Sequence, residues 1–96
     1  MGVRRVHLIV SGIVQGVFFR STSRHQALHL GLTGWVKNRR DGRVEIVAEG
    51  EDENLATFIQ WCHEGPPGAR VDDVSLEWED STGEFQTFAV KYSDMW

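Results

Sequence analysis

Four apolar residues near the middle of this sequence are spaced as the buried face of a helix requires. Leu55, Phe58, Ile59 and Cys62 lie at i, i+3, i+4 and i+7, so one side of a helix carries all four. The segments on both sides of this stripe instead alternate apolar and polar residues, which is the period of a strand with one buried face. Helices and strands of this kind bury their apolar sides against each other, and the pattern therefore predicts an α+β fold.

The same two periods, followed along the chain, predict five strands and two helices. The strands are expected at residues 3–10, 33–38, 43–49, 71–79 and 85–92, and the helices at 21–30 and after the acidic residues 51–53. Ser21 or Thr22 is expected to cap the first helix, Gly31 to follow its last turn, and Asp41-Gly42 to form a hairpin turn. The order is βαββαβ with a fifth C-terminal strand, which predicts a ferredoxin-like sandwich: an antiparallel sheet with two helices on one face.

This fold would bring two distant segments together. In a split βαβ unit the first two strands run in the same direction with another strand between them, so their carboxyl ends share one edge of the sheet. The loop from Gln15 to Arg20 after strand one and Asn38 at the end of strand two are therefore expected to lie close together. A site built from both segments would exist only in the folded chain.

Length, charge and cysteine content limit the class of protein. The 96 residues fit one domain, expected over residues 1–96. A net charge of −4 argues against nucleic acid as the main partner, although Arg39, Arg40 and Arg43 leave a local basic site open. One cysteine allows no intrachain disulfide, and we find neither a signal-peptide pattern nor an apolar run long enough for a membrane span. These features predict a soluble, cytoplasmic protein with no membrane partner that is monomeric, as its small size favours.

The segment from Gly12 to Arg20 is the first candidate for a binding site. Gly12 and Gly16 permit backbone conformations that other residues resist, so successive N–H groups can point into one concavity that binds an anion. The segment runs into a helix N-terminus, which favours negative charge, and the planar guanidinium of Arg20 can hold two phosphate oxygens. Spacing alone leaves the alternative open that the glycines serve only a strand-to-helix connection and that Arg20 pairs with a surface carboxylate.

Asn38 is the second candidate, and metal ligation is the third possibility considered. The Asn38 amide can hold a water molecule, or it can simply satisfy the backbone of the adjacent turn. His25 and His29 are spaced i, i+4 on a helix, but no nearby residue completes a ligand set, so no metal site is expected. Cys62 lies on the apolar stripe and is interpreted as a core thiol.

Two long motifs stand out in the chain. The first is Gly12-Ile13-Val14-Gln15-Gly16-Val17-Phe18-Phe19-Arg20, and the second is Gly34-Trp35-Val36-Lys37-Asn38 followed by Gly42-Arg43-Val44 and Gly50. Both motifs resemble the signatures of the acylphosphatase family, and chain length, element order and the closing strand also resemble that family. The resemblance implies hydrolysis of the carboxyl–phosphate bond of a small-molecule acyl phosphate, by attack of water at phosphorus, to give a carboxylate and inorganic phosphate.

The resemblance also implies a role for each site residue. The backbone amides of Gln15, Gly16, Val17, Phe18, Phe19 and Arg20 would bind the phosphoryl group together with the Arg20 guanidinium, and Asn38 would position the attacking water. It implies no metal, no cofactor and no covalent phosphoenzyme.

Two alternatives from other classes remain open at this point. One is a non-catalytic anion-binding or phosphate-binding module; acylphosphatase-like domains also occur joined to larger carbamoyl-transferring proteins, and the length of 96 residues favours a stand-alone enzyme. The other is an RNA-binding domain, because the RNA-recognition fold shares the βαββαβ order. That fold needs aromatic residues on its central strands, and residues 43–49 contain none.

Overall fold

The computed structural model describes residues 2–92 and places five strands and two helices in the expected order. The elements are β1 Val3–Ile13, α1 Phe19–His29, β2 Thr33–Asn38, β3 Val44–Glu51, α2 Asp52–Glu64, β4 Arg70–Asp80 and β5 Phe88–Lys91. The ferredoxin-like α+β fold is confirmed. Within these residues, neither helix is long and apolar enough to cross a membrane.

The strands form one sheet in the order β4-β1-β3-β2-β5. Both β1 and β2 pair antiparallel with β3 and therefore run in the same direction on either side of it. β4 also pairs antiparallel with β1, whereas β5 pairs parallel with β2. The prediction of an antiparallel sheet is therefore correct for the first four strands. It is wrong for β5, whose parallel pairing makes the sheet mixed.

The core lies between the sheet and the two helices. On β1, Val6 and Leu8 are fully buried opposite Ala48 and Ile46 of β3. The predicted stripe on α2 supplies Leu55, Phe58 and Cys62 to the same core, all three fully buried, with Ile59 packed at its margin. α2 packs on β1, β3 and β4, while α1 packs on β2 and β5, so the helices cover one face as predicted.

The first helix begins earlier than the sequence pattern indicated. α1 starts at Phe19, and its N-cap is Phe18 in the left-handed region (φ 65°) with no side-chain cap hydrogen bond. The predicted caps Ser21 and Thr22 are wrong, because both lie inside the first helical turn. At the other end Gly31 (φ 71°) follows the last turn as expected, and its N–H donates to Leu28 O at 3.1 Å.

Charged side chains on the opposite face of the sheet pin the connection between β4 and β5. The Glu49 carboxylate, 3% exposed, accepts hydrogen bonds from Arg5 Nε at 2.8 Å and from the backbone N–H groups of Thr82 and Gly83 at 2.9 and 3.1 Å. Burial by itself raises the pKa of this carboxyl, but these donors outweigh it and hold the pKa below its ordinary value. The ionised carboxylate therefore stabilises the fold.

Two further sequence interpretations have clear outcomes. Cys62 is a core thiol, and burial raises its pKa well above the ordinary value. In the hairpin predicted at Asp41-Gly42, the Asp41 carboxylate binds Arg39 at 3.0 Å and Arg43 at 2.7 Å. Two of the three arginines in the suspected basic cluster are thus neutralised locally, and Arg40 is left exposed.

Candidate active site

A cavity of about 310 Å³ lies at the edge of the sheet where β1 and β2 end. The loop after β1 lines it with Gly16 and Phe18, the first turn of α1 with Phe19 and Arg20, and the end of β2 with Asn38. The shared direction of β1 and β2 brings these segments together, as the topology predicted. Their roles in catalysis stay predictions.

The loop between β1 and α1 has the backbone shape of an anion site. Gly16 (φ 76°) and Phe18 (φ 65°) both lie in the left-handed region, on either side of Val17. Within residues 2–92, the backbone N–H groups from Gln15 to Phe18 donate to no protein acceptor. Because α1 has no side-chain cap and no acidic residue in its first turn, its first N–H groups are also free to meet an anion.

The Arg20 guanidinium lies at this loop without a carboxylate partner in the described part of the chain. Its Cζ lies 5.1 Å from the centre of the Tyr92 ring, an arrangement that supports a cation on an aromatic face. The alternative that Arg20 pairs with a surface carboxylate is therefore not what residues 2–92 show. A guanidinium held by stacking keeps its N–H fork available for an oxyanion.

The side-chain amide oxygen of Asn38 lacks a hydrogen-bond donor among residues 2–92. This atom, Oδ1, is buried. A buried acceptor without a donor is costly in a native fold, at about 1–3 kcal/mol. The same side chain lines the cavity, so a small donor such as water entering there would satisfy it.

Gln15 has a side-chain role that the sequence interpretation missed. Its Nε2 donates to Arg39 O at 2.7 Å and to Arg43 O at 3.0 Å, across the ends of the β2–β3 hairpin. This contact joins the loop of residues 15–20 to the segment that carries Asn38. Two signals in the sequence could have indicated this contact. They are the predicted proximity of the two segments and the two N–H donors of a glutamine amide.

Gly12 belongs to the sheet rather than to the cavity. A Cβ at this position (φ 131°) would lie 2.1 Å from Arg70 O of β4, at the point where the β1–β4 register shifts. The backbone freedom expected of Gly12 is thus used for close approach of a neighbouring strand. Gly16 has no atom within 4 Å of such a Cβ and lines the cavity, which leaves its site open to a ligand.

Possible metal ligands among residues 2–92 group together at one place, away from this cavity. His7, Glu77 and Glu79 offer ligand atoms within 4.8 Å of one another on the sheet face opposite the helices. His7 Nε2 also lies 2.6 Å from Glu45 Oε2. Strand pairing, not sequence spacing, creates this group, whereas His25 and His29 belong to no such group.

Comparison with known proteins assigns the family. A family model described as acylphosphatase matches residues 6–90. An acylphosphatase of Pelotomaculum thermopropionicum is 52% identical over 92 residues, which cover 96% of this chain and 100% of that protein. The crystal structure of the acylphosphatase from Bacillus subtilis is 40% identical with a TM-score of 0.89, and the match covers 93% of this chain and 99% of that chain.

A longer protein contains a similar domain. The crystal structure of full-length HypF, in a phosphate- and nucleotide-bound form, is 28% identical with a TM-score of 0.86, over 98% of this chain and 13% of that chain. The RNA-binding alternative finds no support in these matches. The agreement of family model, sequence identity and structure places this chain in the acylphosphatase family.

Proposed function

We propose that this protein hydrolyses acyl phosphates to a carboxylate and inorganic phosphate, without a metal ion, in the cavity between the β1–α1 loop and the end of β2. In this proposal the backbone amides of residues 15–20 and the Arg20 guanidinium bind the phosphoryl group. Asn38 positions the attacking water. Membership of the acylphosphatase family supports the reaction, and the cavity geometry supports the assignment of roles.

One observation carries the assignment. Among residues 2–92, the cavity combines hydrogen-bond donors that have no acceptor with an acceptor that has no donor. The donors are the loop amides and the guanidinium of Arg20, whose described contact is the ring of Tyr92. The acceptor is the buried Asn38 Oδ1. A phosphoryl group fits the donors because it is an acceptor at every oxygen, and a water fits the acceptor because it can donate.

The chemistry needs few groups beyond these. A carboxylate is a good leaving group and departs without a general acid. Phosphoryl transfer passes through a loose transition state in which positioning and charge stabilisation do most of the catalysis. The amides and Arg20 would meet the charge on the equatorial oxygens, while Asn38 Oδ1 would accept a hydrogen bond from the water and so orient the water oxygen toward phosphorus. A phosphate oxygen of the substrate would take the proton that the water loses.

The form of the protein in the cell follows as part of the same proposal. We expect one domain over residues 1–96, in the cytoplasm, acting as a monomer on a small molecule. The net charge of −4 and the single buried cysteine support this assignment. Light scattering after size-exclusion chromatography tests this expectation: a monomer has a mass of 10.9 kDa, and twice that mass would exclude it.

The test is hydrolysis of benzoyl phosphate, followed by ultraviolet absorbance with chelator present. Arg20→Gln should raise KM and lower kcat/KM by about 10²–10³, because a charged donor to the transition state is lost. Asn38→Ala should lower kcat by a similar factor and change KM little, because the water and not the phosphoryl group loses its partner. Arg40→Gln, an exposed arginine on the nearby hairpin, and Asn54→Ala on α2 are matched controls expected to keep wild-type kinetics.

The outcomes separate the proposal from a non-catalytic phosphate-binding module. Turnover that persists in chelator, with Arg20→Gln and Asn38→Ala each impaired as described, supports the assigned roles. A folded wild-type protein that binds inorganic phosphate but does not hydrolyse benzoyl phosphate would establish the binding module instead. Turnover that Asn38→Ala leaves unchanged would remove Asn38 from the mechanism.

A further inference from the structure

A second, apolar groove adjoins the phosphate-binding loop. It has a volume of about 680 Å³ and runs between residues 16–18 and the loop Pro66-Pro67-Gly68, which follows α2. It shares Gly16, Phe18 and Ser21 with the cavity of the candidate active site. The groove is therefore continuous with the position proposed for the phosphoryl group.

Among residues 2–92, no charged side chain lines this groove. Its apolar side chains are Val17, Phe18, Pro66 and Pro67, and Ser21 and Thr22 also line it. An apolar group would gain free energy by leaving water there, whereas a second charged group would lose hydration without a partner. The groove thus fits an uncharged, apolar substituent.

Phe18 gives this groove an exposed aromatic ring. Phe18 is 79% exposed, and its backbone is held in the left-handed region, which is unfavourable for a bulky residue. The next residue, Phe19, is 1% exposed and anchored in the core against Trp61. The turn that buries Phe19 therefore directs Phe18 to the solvent side, beside the groove.

The position of Asn38 indicates which way a leaving group would depart. Asn38 lines the first cavity and not the groove, whereas Pro66 and Pro67 line the groove and not the first cavity. In an in-line displacement the attacking water and the leaving oxygen lie on opposite sides of phosphorus. With water on the Asn38 side, the acyl group would leave from the other side, toward the prolines.

We propose that this groove, formed by Val17, Phe18, Pro66 and Pro67, binds the acyl group of the substrate and selects acyl phosphates whose acyl group is uncharged and apolar or aromatic. The proposal rests on the function proposed above. It assigns substrate preference to a surface outside the phosphate-binding loop itself.

The test measures binding without turnover. Dissociation constants for methylphosphonate, benzylphosphonate and inorganic phosphate are determined by calorimetry for the wild type. Benzylphosphonate should bind about tenfold more tightly than methylphosphonate, because its ring buries apolar surface in the groove. Pro67→Ser, at an exposed position, should reduce that ratio about threefold and leave the affinity for inorganic phosphate unchanged.

Two further variants sharpen the result. Phe18→Asn should also reduce the ratio, since asparagine tolerates the left-handed backbone but offers no ring. Leu76→Ser is the matched control: Leu76 is an apolar residue on β4, 40% exposed and outside the groove, and its loss should leave the ratio unchanged.

Equal affinities for the two phosphonates in the wild type would overturn the proposal. The proposal would also fail if Tyr92→Ala, and not Pro67→Ser, removed the preference for benzylphosphonate. The ring of the ligand would then lie in the candidate active-site cavity, which Tyr92 lines. Absence of benzoyl phosphate hydrolysis by the wild type, with the tenfold preference intact, would instead overturn the proposed function alone.

Discussion

We predict that the side chain of Gln15 fixes the distance between the two segments of the candidate active site, which are the β1–α1 loop and the end of β2. Its Nε2 donates to Arg39 O and Arg43 O at 2.7 and 3.0 Å, and Asn38 directly precedes Arg39. Gln15→Met keeps the length of the side chain and removes both donors. Each lost hydrogen bond costs about 0.5–1.5 kcal/mol.

The two carbonyl groups set the magnitude within that range. Arg43 O still accepts from Arg39 N at 2.8 Å, and Arg39 O from Gly42 N at 3.3 Å, so neither is left without a donor. The expected loss in the free energy of unfolding is therefore about 1–2 kcal/mol in total. Catalysis should lose more, because a displacement of about 1 Å at a reacting group can cost about 10²-fold. We expect kcat to fall by about 10- to 100-fold.

Urea unfolding and benzoyl phosphate kinetics measure the two effects on the same protein. The affinity for inorganic phosphate should not change, since the loop amides and Arg20 are retained. Gln60→Met on the exposed side of α2 is the matched control and should behave as wild type in both measurements. If Gln15→Met lost the expected stability while kcat stayed at the wild-type value, Gln15 would be a structural contact only. A fall in phosphate affinity equal to the fall in kcat would show that the loop itself had changed shape.

Three further predictions concern stability. Glu49→Gln should lower the free energy of unfolding at pH 7 by about 3 kcal/mol, because a neutral amide replaces the buried carboxylate that accepts from Arg5, Thr82 and Gly83. The folded-state pKa of Glu49 is depressed, so this contribution is present above its ordinary value of 4.5 and is lost as the pH falls through the folded pKa; unfolding curves of the two proteins should therefore converge at low pH. Gly12→Ala should destabilise the fold far more than Gly31→Ala, because the Cβ added at Gly12 would meet the carbonyl oxygen of Arg70, whereas the Cβ added at Gly31 meets no atom within 4 Å and carries only the cost of positive φ, about 1 kcal/mol. Equal shifts in Tm would contradict this difference. Cys62 is completely buried and its pKa is raised, so it should react with a thiol reagent no faster than the protein unfolds. Rapid labelling of the native protein would disprove this.

Local patterning accounts for the parts of the fold that follow from one strand or helix at a time. The bounds of β2 agree with the prediction at both ends, because alternation stops at the hairpin turn. The apolar stripe of α2 lies in the core because its spacing places all four apolar side chains on one face of the helix. The parallel pairing of β5 with β2 is a property of the whole sheet, and no residue in either strand encodes its direction.

The candidate active site likewise has parts that the sequence predicts and parts that it does not. Loop and Asn38 could be brought together from the sequence because the βαβ topology fixes where strands end. The start of α1 at Phe19 could not, since the preceding residue is a phenylalanine in a conformation that sequence patterns assign to glycine or asparagine. The Gln15 contact and the unpaired Asn38 Oδ1 depend on side-chain positions to within a few tenths of an ångström, which periodicity does not carry.

The strained loop is held at both ends, and this bears on how the site works. A bulky residue in the left-handed region costs about 1–3 kcal/mol, and Phe18 adopts it at φ 65°. At its amino end, the Gln15 side chain binds the loop to the β2–β3 hairpin. At its carboxyl end, Phe19 packs into the core, with its ring centre 5.3 Å from that of Trp61. The arrangement of the free amides between them is therefore set by the fold before any ligand arrives. Donors that need no reorganisation are what electrostatic stabilisation of a phosphoryl group requires. A loop whose anchors hold Phe18 in a strained conformation therefore suits the phosphoryl-binding role proposed for its backbone.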